Sequence, residues 1–163
     1  MDESGFEKLY EKTARPLCSY VARIAGSQTL ADDILQETFL RYLRAPLESA
    51  DENAVKSYLY KIATNLIYDH FRQTKRANRW QILRTEPEVF ENNFADETEM
   101  TQIFRHLQPR ERALLWLAYV EGCDHREIAA TLDLSVMSIR VLLFRARRKL
   151  AQMLTDEVKK QNV

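Results

Sequence analysis

The chain has 163 residues, of which 45% are apolar, and its formal net charge is zero. This length suits one ordinary domain or two small ones, and three glycines with four prolines are too few for a turn-rich all-β protein. No apolar run approaches the roughly 20 residues that a membrane span needs. The acidic start also lacks the apolar stretch of a signal peptide, so we expect a cytoplasmic all-α protein.

Two helices are predicted before residue 45. Ser4 and Glu7 fit a capping box at the start of the first, which Pro16 should kink or divide and Gly26 should end. Thr29 is predicted to open the second helix. The polar stretch that follows, residues 45–53, contains a proline and reads as a loop.

A third segment has the strongest helical periodicity of the chain. Its apolar residues recur at the spacing of one helix face: Val55, Tyr58, Leu59, Ile62, Ala63, Leu66, Ile67 and Phe71. The opposite face carries Lys61, Asn65, Asp69 and Arg72. Tyr58 belongs to the apolar stripe, whereas Tyr60 falls off it.

The zero net charge hides a strong local pattern. Residues 70–84 and 136–150 each carry five Lys or Arg and no acid, whereas residues 85–99 carry six acids and no base. Two basic segments separated by an acidic one indicate two contacts with DNA. We therefore predict two helical domains, 1–76 and 99–155, joined by a linker over 77–98 and followed by a polar tail over 156–163.

The second domain has the pattern of a helix-turn-helix. Asp124 and Glu127 fit a capping box before a short helix over 126–132. A turn at 133–135 follows, in which Asp133 tolerates a left-handed backbone, and Ser135 should cap a long helix that ends near residue 154. Apolar anchors are expected from both helices: Ile128, Leu132, Leu134, Val136 and Ile139.

A recognition helix must present polar and basic groups to the major groove. The predicted set is Ser135, Ser138, Arg140, Arg145, Arg147 and Arg148. Arginine can grip phosphate or bind guanine through two hydrogen bonds.

These segments resemble a family. Residues 124–150, DHREIAATLDLSVMSIRVLLFRARRKL, look like region 4 of extracytoplasmic-function sigma factors, as does LQPRERALLWLAYVEG before them. In the first half, ADDILQETFLRYLR resembles the polymerase-binding helix of region 2, and YLYKIATNLIYDHFR its promoter-melting helix. The resemblance implies two helical domains without enzyme chemistry, whose partners are core RNA polymerase, promoter DNA and an anti-sigma factor.

Carried over residue by residue, the resemblance implies three groups of contacts. The residues facing the polymerase clamp would be Asp33, Gln36, Glu37 and Phe39. Those near the opening strands of the minus-ten element would be Tyr58, Tyr60, Lys61, Asn65, Asp69 and Arg72. Packing in the core is at least as good an interpretation of Tyr58, because it belongs to the apolar stripe. Tyr60 is the better candidate for stacking on an unpaired base. Arg140 and Phe144 match positions that face the groove of the minus-thirty-five element. Val141 and Leu142 depart from the polar residues usual there, and would contact a thymine methyl, another protein or the domain's own core.

Other classes of function fit the sequence less well. A stand-alone helix-turn-helix regulator accounts only for the second half, and a metal-dependent enzyme on a helical bundle accounts for neither basic segment. Cys123 and His125 are close, but two ligands do not make a zinc site. No glycine-rich phosphate loop is present, so we expect no cofactor, no metal and no catalytic residue.

Overall fold

The protein is described by a computed structural model that covers residues 2–81 and 98–163. The helices are α1 (Glu3–Ala25), α2 (Gln28–Arg44), α3 (Glu52–Gln81), α4 (Glu99–Arg105), α5 (Pro109–Tyr119), α6 (His125–Leu132) and α7 (Val136–Gln161). They form two compact units, with α1–α3 in the first and α4–α7 in the second. The predicted all-helical class with two small domains is confirmed.

The first unit is a three-helix arrangement in which every helix packs against both others. Its core comes from all three helices: Leu17, Tyr20, Val21, Ile24, Ala31, Ile34, Phe39, Tyr42, Val55, Leu59, Tyr60, Ala63 and Ile67. A polar pair lies inside this core, where the Tyr20 hydroxyl and Thr64 Oγ1 are 2.7 Å apart. Thr64 also donates to the carbonyl of Tyr60, so these buried hydroxyls are hydrogen-bonded.

The helix starts in this unit differ from the predicted ones. Asp2, not Ser4, caps α1, and its carboxylate accepts from the Gly5 amide at 2.9 Å. Helix α1 continues through Pro16 as one helix and ends at Gly26, whose φ of 74° is in the left-handed region. Ser27 caps α2 in place of Thr29. In both cases the helix is capped by a side-chain acceptor two residues before the predicted one.

Helix α3 extends past residue 76, where the first domain was predicted to end, and continues to Gln81. The first five residues of the predicted linker, 77–81, are therefore helical. The rest of that linker, except residue 98, lies outside the described residues.

The second unit is built around α7, against which α4, α5 and α6 all pack. Its most deeply buried apolar side chains include Leu114, Leu117, Ile128 and Ile139. A further cluster of Leu107, Leu115 and Ala146 is covered by the half-buried Phe104, Leu150 and Met153.

One buried cation joins α4 to α5. Arg112 is buried, and its guanidinium donates to the carbonyl oxygen of Arg105 at 3.4 Å. Burial, with the neighbouring Arg105, lowers the pKa of Arg112 to about 10. The group therefore remains protonated at neutral pH and complements the negative end of α4.

Helix α7 continues to Gln161, beyond the end predicted near residue 154. The polar residues of this last part are compatible with a helix, and Lys160 forms an ion pair with Glu157 at 3.7 Å. Within residues 2–81 and 98–163, none of the helices has the length and apolarity required to cross a membrane.

Candidate nucleic-acid and polymerase interfaces

The helix-turn-helix forms where the sequence predicts it. Asp124 and Glu127 make the reciprocal capping box, with distances of 2.9 Å and 2.8 Å between side-chain oxygen and amide nitrogen. Asp133 adopts φ 56° and ψ 49°, and the next amide, that of Leu134, bonds to the carbonyl of Ala129 at 3.0 Å. Ser135 caps α7 by accepting from the Ser138 amide. This turn ends the short α6 and starts α7, and the two helices pack against each other.

The apolar anchors of this motif are confirmed with one exception. Ile128, Leu132 and Ile139 are buried, and Leu134 is half-buried. Val136 was expected among them but is exposed. It is the first residue of α7, and the buried face of this helix runs through Ile139 and Leu143 instead.

The predicted DNA-binding residues of α7 share an exposed surface. Arg140, Phe144, Arg145 and Arg148 are all exposed. Arg147 is exposed too, but its guanidinium donates to the Tyr119 hydroxyl at 2.8 Å, which holds it toward α5. No acidic residue lies between Leu134 and Thr155. Lys149 forms an ion pair with Glu111 of α5 at 3.0 Å. The exposed arginines of α7 offer a positive surface of the kind that attracts phosphates.

On α3, four predicted site residues form one stripe along the helix. Lys61 is half-buried, and Asn65, Asp69 and Arg72 are exposed. Asp69 and Arg72 form an ion pair. At spacings of four, four and three residues, these side chains lie above one another on one face.

Tyr60 is buried, contrary to its prediction as a base-stacking residue. Its side chain is only 2% exposed, and its ring lies 5.0 Å from that of Tyr20 on α1. Lys56 sits over the ring, 5.6 Å from its centroid. The expectation that Tyr60 falls off the buried stripe is wrong, because α1 packs against the side of α3 that carries Tyr60 and Thr64. Tyr60 offers no open face for a base in this structure.

Tyr58, for which core packing and a DNA contact were both predicted, is half-buried next to the end of α2. Its hydroxyl donates to the carbonyl of Ala45 at 3.0 Å, and its ring lies 6.1 Å from that of Tyr42. Burial raises the pKa of Tyr42, and the neighbouring Tyr58 phenol adds to the rise. Tyr58 thereby anchors the beginning of the loop over residues 45–51.

The added length of α3 brings in basic residues that sequence analysis did not assign to a site. Lys75, Arg76 and Arg79 are exposed and follow Arg72 at spacings of three, four and seven residues. They extend the Lys61–Arg72 stripe into one continuous face. The five basic residues within 70–84 indicated this face. The predicted boundary at residue 76 assigned some of them to the first domain and the others to a linker.

A surface groove lies between α1 and α2, with a volume of about 430 Å³. Its polar rim includes Asp32, Asp33 and Gln36, and its apolar wall includes the exposed Leu40 and Leu43. Glu37, which was predicted to face a partner, forms an ion pair with Arg41 at 2.8 Å. The groove combines exposed apolar groups with an acidic rim, a combination found in protein-interaction surfaces.

Phe39, which was predicted to face the polymerase clamp, is also buried. It is 5% exposed and lies at the floor of this groove, with its ring 4.9 Å from Tyr10 and 6.0 Å from Phe6. Its role is to support the groove, because most of its surface is already covered by these two rings.

A second groove was not anticipated from the sequence. It lies in the second unit between α5 and α7, has a volume of about 360 Å³, and is lined almost entirely by apolar groups: Phe104, Leu115, Trp116, Tyr119, Val120, Arg147, Leu150, Ala151 and Leu154. These residues come from α4, from α5 and the residue after it, and from α7, and Arg147 among them was predicted to bind DNA. Their arrangement as an open groove depends on how α5 and α7 pack.

The fold and these surfaces define a two-unit, all-helical protein with a helix-turn-helix and a basic recognition helix. Residues 9–77 match the sigma-70 region 2 family, and residues 98–150 match sigma-70 region 4. The two matches cover most of the chain in the expected order. The chain therefore belongs to the sigma-70 family of RNA polymerase sigma factors, in its extracytoplasmic-function group.

Characterised relatives agree with this assignment. The chain is 26% identical over 153 residues to the RNA polymerase sigma factor SigZ of Bacillus subtilis, covering 92% of this chain and 87% of SigZ. It is 25% identical to the extracytoplasmic-function sigma factor BldN of Streptomyces coelicolor, covering 97% of this chain but 63% of BldN. Against SigE of Mycolicibacterium smegmatis the identity is 28%, with 90% and 60% covered.

Solved structures agree with the fold. The sigma factor RpoE of Bartonella quintana, solved with the anti-sigma factor NepR, aligns with a TM-score of 0.74 at 17% identity, covering 93% of this chain and 97% of RpoE. CnrH, solved with the cytosolic domain of CnrY, aligns with a TM-score of 0.66 at 24% identity, covering 95% and 90%.

Proposed function

We propose that this chain binds core RNA polymerase as an extracytoplasmic-function sigma factor, recognises a promoter at two elements and initiates transcription of a specific, stress-responsive gene set. The observation that carries the proposal is the presence of two distinct kinds of surface. Each unit has an exposed basic helix face and a separate groove with apolar walls. A DNA-binding regulator needs only the first kind of surface, whereas a polymerase subunit needs both.

In this proposal the groove between α1 and α2 binds the polymerase clamp. Asp33 and Gln36 are exposed on its rim, and Leu40 and Leu43 supply apolar area. Region 4 of the family also touches the polymerase, at its flap, and the apolar groove between α5 and α7 is the candidate surface for that contact. Exposed apolar groups framed by polar ones favour a protein partner in both places.

The exposed face of α3 then contacts the opening strands of the minus-ten element. Lys61, Asn65 and Arg72 offer hydrogen bonds, and Lys75, Arg76 and Arg79 offer positive charge to the phosphates. With Tyr60 in the core, base stacking has to come from another group. The loop over 45–51, anchored by Tyr58, is the proposed site at which unpaired nucleobases are captured. It carries Glu48 and Asp51 and no Lys or Arg, so attraction to phosphate is not its role.

Helix α7 is the proposed reader of the minus-thirty-five element. Arg140 lies in its second turn, where side chains reach base edges, and Arg145 and Arg148 lie further along, where they hold phosphates. Ser135 and Ser138 contribute by fixing the start of the helix.

An anti-sigma factor is the proposed regulator, and the cytoplasm, where core polymerase acts, is the proposed location. RpoE and CnrH have this fold, and their complexes with the anti-sigma factor NepR and with the cytosolic domain of CnrY support this proposal. Both apolar grooves offer surface to such an inhibitor, which would then compete with the polymerase.

Transcription in vitro tests the proposal. The full chain, added to core polymerase lacking any other sigma factor, should start transcription from promoters of the source genome at defined sites. A helix-turn-helix regulator would bind DNA but would need another sigma factor to start transcription. Specific DNA binding without initiation by the reconstituted polymerase would therefore overturn the proposed function.

A further inference from the structure

The centre of the exposed face of α7 is apolar. Met137 is 85% exposed, Val141 48% and Phe144 56%, and spacings of four and three residues place them in one row. Their exposure excludes the domain's own core as the partner of Val141. Leu142 lies to the side of this row and is half-buried.

The hydroxyl groups at this end of the helix are already engaged. Ser135 accepts from the Ser138 amide, and the two hydroxyl oxygens are 2.6 Å apart. In Val136–Ala146, the remaining side chains able to donate hydrogen bonds are Arg140 and Arg145. Most of what this surface presents to a partner is therefore hydrocarbon.

The charge around the row identifies the partner. Arginines border it at positions 140, 145 and 148, and no acid occurs between Leu134 and Thr155. This surface is complementary to a polyanion that also carries small apolar groups. In the major groove of DNA, the C5 methyl of thymine is the apolar group that base pairs present.

We propose that Val141, with Met137 beside it, recognises thymine methyl groups in the upstream promoter element. Hydrophobic contact then determines specificity at positions where Arg140 does not bind a base. This inference rests on the proposed function, because it requires α7 to lie in the major groove.

Paired selections from randomised promoters test the proposal. Holoenzyme assembled from the full chain and core polymerase selects from two promoter libraries, each randomised in the upstream duplex element. One library contains thymine in this window, and the other contains uracil, which lacks only the methyl group. We expect the first library to enrich thymine at one or more positions and the second to show no uracil enrichment there.

Affinity measurements on the selected sequence then assign the contact to Val141. Replacing the selected thymine by uracil should weaken binding by the wild type about fourfold per methyl group lost from contact. Val141→Ser should weaken binding to the thymine promoter and respond little to the uracil replacement. Val158→Ser is the matched control, since Val158 is an equally exposed valine near the end of the same helix.

The outcomes separate this inference from the proposed function. Equal enrichment from both libraries, with normal initiation, would overturn methyl recognition and leave the sigma-factor function standing. Absence of enrichment together with absence of initiation would overturn both. If Val141→Ser weakened binding to core polymerase but not to promoter DNA, the apolar row would be a protein-binding surface and the inference would be wrong.

Discussion

Tyr58 and Tyr60 lie two residues apart on α3, and Tyr60, which is off the apolar stripe, is more deeply buried than Tyr58, which is on it. A single-face pattern assumes one neighbour, but α3 has two. The side of α3 that carries Tyr58 packs against α2, and the side that carries Tyr60 and Thr64 packs against α1. The buried surface of α3 is therefore wider than the apolar stripe, and it includes a threonine that the pattern reads as polar.

Because Tyr60 is buried, Tyr60→Ala should act through the stability of the first unit and not through lost base stacking. Truncation of a buried aromatic ring should lower the free energy of unfolding of the first unit by about 3–5 kcal/mol. Closed and open promoter complexes should then be lost together, as urea denaturation and promoter-binding assays would detect. Tyr60→Phe keeps the ring and should preserve both activities. Loss of promoter opening alone, with unchanged stability, would restore the stacking role.

Arg140 and Arg148 should differ although both are exposed arginines of α7. Arg140→Ala should cost about 1–3 kcal/mol on the preferred promoter and relax preference at one position. Arg148→Ala, the matched control, should weaken binding to all sequences alike. It should also lower the slope of log affinity against log salt concentration by about one. Titrations on promoter variants at several salt concentrations distinguish the two. An Arg140→Ala effect that appears only in the salt slope would contradict its role in base recognition.

At the scale of the element, local hydrogen bonds determine where helices begin and end. The capping box of Asp124 and Glu127, the left-handed Asp133 and the Ser135 cap follow from side-chain chemistry within three or four residues. The start of α1 shows the limit of this reasoning. Asp2 and Ser4 are both suitable caps, and spacing alone does not choose between them.

Removing the capping box should destabilise the second unit. Asp124→Ala leaves the Glu127 amide without its acceptor and should lower the free energy of unfolding by about 1 kcal/mol. Thermal and urea denaturation followed by circular dichroism measure this change. Asp156→Ala, an exposed aspartate within α7, should change stability by about 0.5 kcal/mol or less. Equal effects of the two substitutions would mean that the cap contributes nothing specific.

At the scale of the whole molecule, each unit has its own buried core, and this predicts independent folding. Fragments 1–81 and 98–163 should each be helical and unfold cooperatively. Fragment 1–76 is an informative comparison, because it removes the end of α3 that was predicted to be linker. Near-absence of helicity in either longer fragment would show that the units depend on each other.

Polymerase affinity should depend on the first unit. Asp33→Lys reverses a charge on the rim of the groove between α1 and α2 and should weaken binding to core polymerase without lowering helicity. Glu11→Lys, which reverses an exposed acidic residue of α1 that does not line the groove, is the matched control. Affinity that is unchanged for Asp33→Lys, or lowered equally by both, would refute the assignment of this groove.

The helical class, the two domains, the helix-turn-helix with its turn residue, and the family could all be predicted from the amino-acid sequence. These features depend on periodicity, capping and charge, which act between residues close in the chain. Helix packing was needed to show that Tyr60 and Phe39 are enclosed, that Val136 is exposed, and that α5 and α7 leave an apolar groove open. Each of these depends on which side of a helix meets which neighbour, and that is settled by contacts between residues far apart in sequence.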